Sequence, residues 1–268
     1  MSLYREYFGF KKDPFSNDIP TKSLLHFPAM EGVKERIDYA LKIGAAMVLT
    51  GDVGSGKSTS LRWSLSHYHP SEVLILNIIA STGSLAELYK QLCWALDLEI
   101  RGTSLTSLTK IVKATIKDIA SSKKQKILLA IDESHLLRAD IFMEIHTLTQ
   151  FENDSKNLLA IVFTGQSNLL DKLMYRSSAP MASRVVAKTH LNTITRDQME
   201  EYLSHHVRYA GVKKNLFTES AITAIQQGSG GVLRKANNLA KGALIASSRE
   251  KENQATAEHV RIASTELI

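Results

Sequence analysis

The stretch GDVGSGKST, residues 51–59, follows the apolar run Ala45-Ala46-Met47-Val48-Leu49 and leads into Leu61-Arg62-Trp63-Ser64-Leu65. That order reads as a buried strand, a glycine turn and a helix. Gly51, four residues, then Gly56-Lys57-Ser58 is the spacing of a phosphate-binding P-loop. The chemistry requires these residue types. Gly51, Gly54 and Gly56 allow positive φ and a close approach of backbone to an anion. Successive N–H groups then point inward, with the N-terminus of the following helix behind them. The expected nucleotide cradle is Gly51, Asp52, Val53, Gly54, Ser55, Gly56, Lys57, Ser58 and Thr59. Lys57 supplies a point charge for the β- and γ-phosphates, and the Ser58 hydroxyl is an expected Mg²⁺ ligand. The expected cofactors are therefore ATP and Mg²⁺.

A chain of 268 residues is long enough to bury a core, in one large domain or two smaller ones. Apolar residues make up 44 % and charged residues 22 %, the balance of a folded soluble protein. No apolar run reaches the ~18 residues that span a bilayer. A single cysteine, Cys93, excludes an internal disulfide and fits a reducing cytoplasm, the expected location. The net charge of +6 permits contact with nucleic acid or anionic lipid without requiring it. The nine histidines are scattered, and no metal-site spacing of His and Cys appears.

Upstream of the loop, Tyr4, Tyr7, Phe8, Phe10 and Phe15 are too apolar for a free tail. They either pack over the core or cover the nucleotide base. Ala29, Val33, Ile37, Ala40 and Leu41 recur at helical spacing before Gly44. Downstream, Val73–Leu76, Lys126–Glu133, Leu158–Gln166 and Val185–Leu191 read as strands, with helices expected over 84–98, 106–120, 140–152 and 167–175. Alternation of this kind predicts a parallel sheet covered on both faces. After Ile194 the pattern changes to helices alone, over 195–210, 218–227, 232–248 and 256–267. The expected division is an α/β nucleotide-binding domain over 1–193, with residues 1–28 as a packing segment, and a small all-α domain over 194–268.

Asp132-Glu133 stands at the end of four consecutive apolar residues, where ligands bind in open α/β sheets. Asp132 is expected to hold Mg²⁺ and Glu133 to polarise the attacking water. Thr164 and Gln166 end the next strand, where a polar group either senses the γ-phosphate or completes strand-end hydrogen bonds. Arg184 precedes the fifth strand and Arg234 opens a helix of the second domain. From the residues alone each arginine is either a partner of the phosphates or a solvated charge.

The whole chain resembles the AAA+ ATPases, and within them the ExeA/GspA-like group. The resemblance rests on YREYFGFKKDPF at 4–15, GDVGSGKST, ILLAIDESH at 127–135, FTGQ at 163–166, Ser183-Arg184 and GGVLRKANNLAKGAL at 230–244. It implies a five-stranded parallel AAA+ sheet followed by a helical lid. It makes Lys57 and Ser58 the Walker A pair and Asp132 and Glu133 the Walker B pair. Thr164 becomes the first sensor, with Gln166 the alternate, and Arg234 the second sensor. It makes Arg184 an arginine finger reaching a neighbouring subunit's ATP, hence a homo-oligomer. The sensor strand is expected between the two Walker strands. Ser134-His135 departs from the commoner Ala-Gln after the acidic pair.

Two roles follow from the resemblance. Short transposon-associated members are similar to the TnsC and Mu B regulators, which assemble on duplex DNA and work with a transposase; Asn17-Asp18-Ile19-Pro20 looks more like that type. Other members serve secretion or pilus assembly with secretion-apparatus proteins. For DNA, Lys110, Lys113 and Lys117, with Lys123, Lys124 and Lys126, are the nearest to a basic stripe, and an ordinary solvated helix face is the competing interpretation.

Overall fold

The computed structural model describes residues 3–16, 18–100, 104–152 and 154–266. Asn17 of the Asn-Asp-Ile-Pro stretch and Leu267 at the end of the last expected helix lie outside the described residues. The chain divides into two compact units, residues 27–51 with 57–191, and residues 1–26 with 52–56 and 192–268.

The first unit is built on five strands: β1 (Ala46–Gly51), β2 (Val73–Ile79), β3 (Lys126–Asp132), β4 (Leu159–Gly165) and β5 (Val185–Leu191). Their order is β2-β3-β4-β1-β5, and every neighbouring pair is parallel. Period-two side-chain placement explains why the runs are continuously apolar. Met47, Leu49, Leu128, Ala130, Ala160 and Val162 face one core, and Val48, Ile127, Leu129, Ile131, Ile161 and Phe163 the other. The strands in the middle must be apolar on both sides. At the edge, β5 alternates between partly buried and exposed side chains along most of its length.

Helices cover both faces. α2 (Pro28–Ile43) starts with proline in its first turn and buries Val33, Ile37, Ala40 and Leu41. It stops at Gly44, whose φ is +67° and where a Cβ would stand 2.5 Å from Asn157 O. α3 (Lys57–Leu65) follows the glycine turn. α4 (Leu85–Ala95), α5 (Leu105–Ser122) and α6 (Ala139–Thr149) supply Leu88, Leu92, Leu108, Val112, Ile116, Phe142 and Ile145 to the second face. The Phe142 and Phe163 rings lie 5.5 Å apart, and burying each contributes roughly 1.5–3 kcal/mol. Short helices α7 (Asn168–Met174) and α8 (Ala179–Ala182) lead to β5.

In the second unit, α9 (Arg196–Tyr209), α10 (Glu219–Ser229), α11 (Leu233–Arg249) and α12 (Ala257–Thr265) pack together. Thr195 with Gln198 forms a capping box on α9, and Thr218 caps α10. α1 (Leu3–Phe8) and the residues after it belong here too. Phe15 stacks on the His206 ring at 5.5 Å, His206 Nδ1 donates to Pro14 O at 2.6 Å, and Asp13 pairs with Lys241. The N-terminal segment was expected to belong with residues 29–193. The segment instead groups with the C-terminal helices, through Phe15 on His206, Asp13 with Lys241 and α1 against α11.

Candidate functional site

In the unit built on the sheet, β1 ends at Gly51, β3 ends at the acidic pair, and β4 runs between them. Thr164 lies in register with Leu49. This is the strand arrangement that the family resemblance implies. Lys57, 7 % exposed, donates from Nζ to Gly51 O at 2.9 Å. Ser58 Oγ donates to Asp132 Oδ2 at 2.7 Å. The other carboxylate oxygen, Oδ1, accepts from Glu133 N at 2.9 Å. Folding thus brings together the first and second motifs, which are 74 positions apart.

The donor set fits a hard divalent cation. Mg²⁺ takes oxygens at about 2.1 Å, which places adjacent ligands about 3 Å apart, close to the Ser58–Asp132 spacing. A hydroxyl and a carboxylate, with water and phosphate completing the shell, are ligands of that kind.

Glu133 has φ +53° and a half-exposed side chain. His135, buried beside it, places Nδ1 3.2 Å from Glu133 Oε2 and Nε2 2.9 Å from Gln166 Nε2. Thr164 is fully buried, and its Oγ1 has no hydrogen-bond partner among the described residues. Of the two β4-end residues, then, Gln166 joins the acidic pair through His135 and Thr164 does not. The His135 contact is invisible in sequence because it depends on β3 and β4 being neighbours.

Arg184 stands apart from this cluster. Its guanidinium pairs with Asp154 and lies 3.4 Å from Asn157 Oδ1, so within its own chain it is neither solvated nor directed at the acidic pair. The lysines of α5 are also partly engaged. Lys113 Nζ donates to Gln150 O at 3.4 Å and Lys117, itself exposed, holds Nζ 3.3 Å from Glu152; Lys110, Lys123, Lys124 and Lys126 are exposed as well. The expected stripe is therefore interrupted at two of its six positions, because the turn after α6 presents carboxylate and carbonyl oxygens to α5.

In the second unit, Gly54 and Gly56 take φ of +85° and +94°. Arg234, at the start of α11, donates its backbone N–H to Gly54 O at 3.1 Å and keeps its side chain exposed. Asp52 O accepts from Ser55 N at 3.1 Å, which tightens the turn. Val53 stays exposed and Ser55 is buried.

A sequence profile described as AAA domain matches residues 44–173. The chain is 27 % identical to General secretion pathway protein A of Aeromonas hydrophila over 269 residues, 99 % of this chain. It spans about half, 48 %, of the length of that curated relative. Among solved structures, Cdc6p of Pyrobaculum aerophilum superposes with a TM-score of 0.74 at 18 % identity, over 97 % of this chain and 72 % of that one. The Aeropyrum pernix ORC1 protein, solved in complex with DNA, gives a TM-score of 0.72 at 17 % identity, over 96 % and 70 %.

Proposed function

We propose, for a chain that carries an AAA domain on the AAA+ P-loop ATPase fold, that it binds and hydrolyses ATP with Mg²⁺ and uses the cycle to control an oligomeric assembly. The observation that carries this is the hydrogen bond from Ser58 to Asp132, which joins the first turn of α3 to the acidic pair. The backbone from Gly51 to Thr59 cradles the phosphates, and Lys57 adds its charge. Ser58 and Asp132 hold the cation, which neutralises phosphate charge when bound. Glu133 orients the attacking water and accepts its proton. A buried hydroxyl without a partner is uncommon, which supports Thr164 as the first sensor, with Gln166 the alternate. Arg234 is the second sensor, supported by its backbone bond to the turn, and residues 194–268 form the lid domain. Arg184 acts on the ATP of a neighbouring subunit once Asp154 releases it.

For the assembly controlled, identity to General secretion pathway protein A along nearly the whole chain supports a part in a secretion apparatus, working with its proteins. The second reading is a regulator of transposition on duplex DNA with a transposase, supported by the net charge of +6 and the exposed Lys110, Lys123, Lys124 and Lys126. Among the described residues no helix is long and apolar enough to cross a membrane, and the proposed site of action is the cytoplasmic ATP pool. The deciding experiment is ATP-dependent binding to duplex DNA at two salt concentrations, with assembly size followed in parallel. A steep salt slope with ATP-driven filaments selects transposition. Absence of DNA affinity at low salt selects secretion. A chain without ATP hydrolysis rejects both.

A further inference from the structure

We infer that His135 is a positioning residue for the Glu133 carboxylate, holding one of its oxygens in place and linking it to Gln166 at the end of β4. The inference rests on the ATPase reading of this site and deepens it.

The main chain of His135 is fixed from two directions. Lys172 Nζ donates to His135 O and, at 2.8 Å, to Leu137 O. Gly165 gives it room: a Cβ there would stand 3.0 Å from His135 N and 3.3 Å from His135 Cβ. The ring, with 9 % of the side chain exposed, therefore has little freedom.

Its two nitrogens face different partners. Gln166 presents its amide nitrogen to Nε2 at 2.9 Å. An amide nitrogen only donates, so Nε2 accepts and the ring proton sits on Nδ1. Nδ1 is buried, no hydrogen bond of good alignment reaches it among the described residues, and Glu133 Oε2 is 3.2 Å away. Glu133, half-exposed, is the carboxylate that stands within reach of this proton. Glu133 also holds φ +53°, a conformation that a residue with a Cβ keeps only where its surroundings over-determine it.

The consequence is a division of labour within one carboxylate. The oxygen beside His135 faces a donor with little freedom, and the other is left for water. Any shift of Gln166 changes the partner of Nε2 and so reaches Glu133 through one hydrogen bond and the 3.2 Å His135–Glu133 contact.

The test is steady-state ATP hydrolysis, ATP affinity by equilibrium titration, and thermal unfolding, on the full chain. His135→Asn places an amide nitrogen where Nδ1 stands, His135→Gln places one where Nε2 stands, and His135→Leu fills the volume without a donor. His135→Leu is expected to lower kcat about tenfold with ATP affinity within about twofold of wild type. His135→Asn is expected to recover a large part of that loss and His135→Gln to recover little. In a Glu133→Gln background, His135→Leu should add no further loss. Wild-type kcat in His135→Leu, equal losses in all three variants, or ATP affinity falling along with kcat each overturn the inference. If His135→Leu does not fold, Gln166→Leu decides: it must lower kcat with ATP affinity retained, and an unchanged kcat overturns the inference. An inactive wild-type chain defeats the ATPase reading instead, whereas an active one with indifferent His135 variants defeats only the role of His135.

Discussion

Gly54 O accepts a 3.1 Å hydrogen bond from Arg234 N, and a Cβ on Gly54 would stand 2.6 Å from Arg234 Cβ and 3.3 Å from Val232 Cγ1. The φ of +85° already disfavours any side chain at this position. Gly54→Ala is therefore expected to cost about 1–3 kcal/mol in stability and to weaken ATP binding. Thermal unfolding and nucleotide titration of the variant measure both. Wild-type values in both would mean that the turn can take a Cβ without shifting.

Lys57→Ala should abolish ATP binding, because the turn loses its buried charge and the bond that Nζ makes to Gly51 O. Micromolar affinity retained in titration would remove Lys57 from the phosphate site.

Glu133→Gln should bind ATP normally and hydrolyse it roughly 10²–10⁴-fold more slowly, since only proton acceptance is lost. Single-turnover hydrolysis alongside equilibrium binding separates the two steps. Wild-type turnover would exclude Glu133 as the base.

Arg184→Ala should leave ATP affinity nearly unchanged and depress hydrolysis, by up to about 10³–10⁵ in enzymes where an arginine acts in this way. Mixing it with Glu133→Gln should restore activity, because one variant keeps the acidic pair and the other keeps the arginine. A mixture that stays inactive at every ratio argues that Arg184 does not act between subunits.

Burial pushes the His206 imidazole down to about 4, with the neighbouring His205 acting in the same direction and the Pro14 carbonyl opposing both. The unfolded chain takes up a proton near 6.5, and the folded chain refuses it until about 4. Stability from this group is thus complete above pH 6.5, lost as pH falls toward 4, and constant below that. From pH 7 to pH 5 the loss is about 2 kcal/mol. Urea unfolding at the two pH values should show this drop in the wild type and a smaller one in His206→Phe. Equal drops would mean that His206 is not the titrating group.

Much of the α/β unit was legible from the sequence because β1, β3 and β4 are buried on both faces along most of their length and so read as near-continuous apolar runs, with polar residues confined to their ends. The expected strand ends fall within a residue or two of those observed, except that β2 continues through Asn77-Ile78-Ile79. The sequence pattern could not order the strands; that β4 separates β1 from β3 came only with the family resemblance. Contacts that depend on this order were hidden as well, above all His135 with Gln166 and Gly165. α1 was missed although Tyr4, Tyr7 and Phe8 stand at i, i+3 and i+4, because six residues are too few for a helical period to be read. Its partners lie some 200 residues downstream. The engagement of Lys113 and Lys117 escaped notice for a related reason, since it takes Gln150 and Glu152, over thirty residues downstream, to occupy them.

β1 has no hydrogen-bonding neighbour close to it in the chain: its partners are β4 and β5, which end at residues 165 and 191. A ribosome adding about 5–20 residues per second needs roughly 7–30 s to make the 140 residues between β1 and the end of β5. For that time Ala46–Gly51, buried at all six positions in the finished protein, is a sticky peptide without a seat. Expression yield should therefore depend on translation speed and on the availability of a holdase chaperone more than on the final stability of the fold.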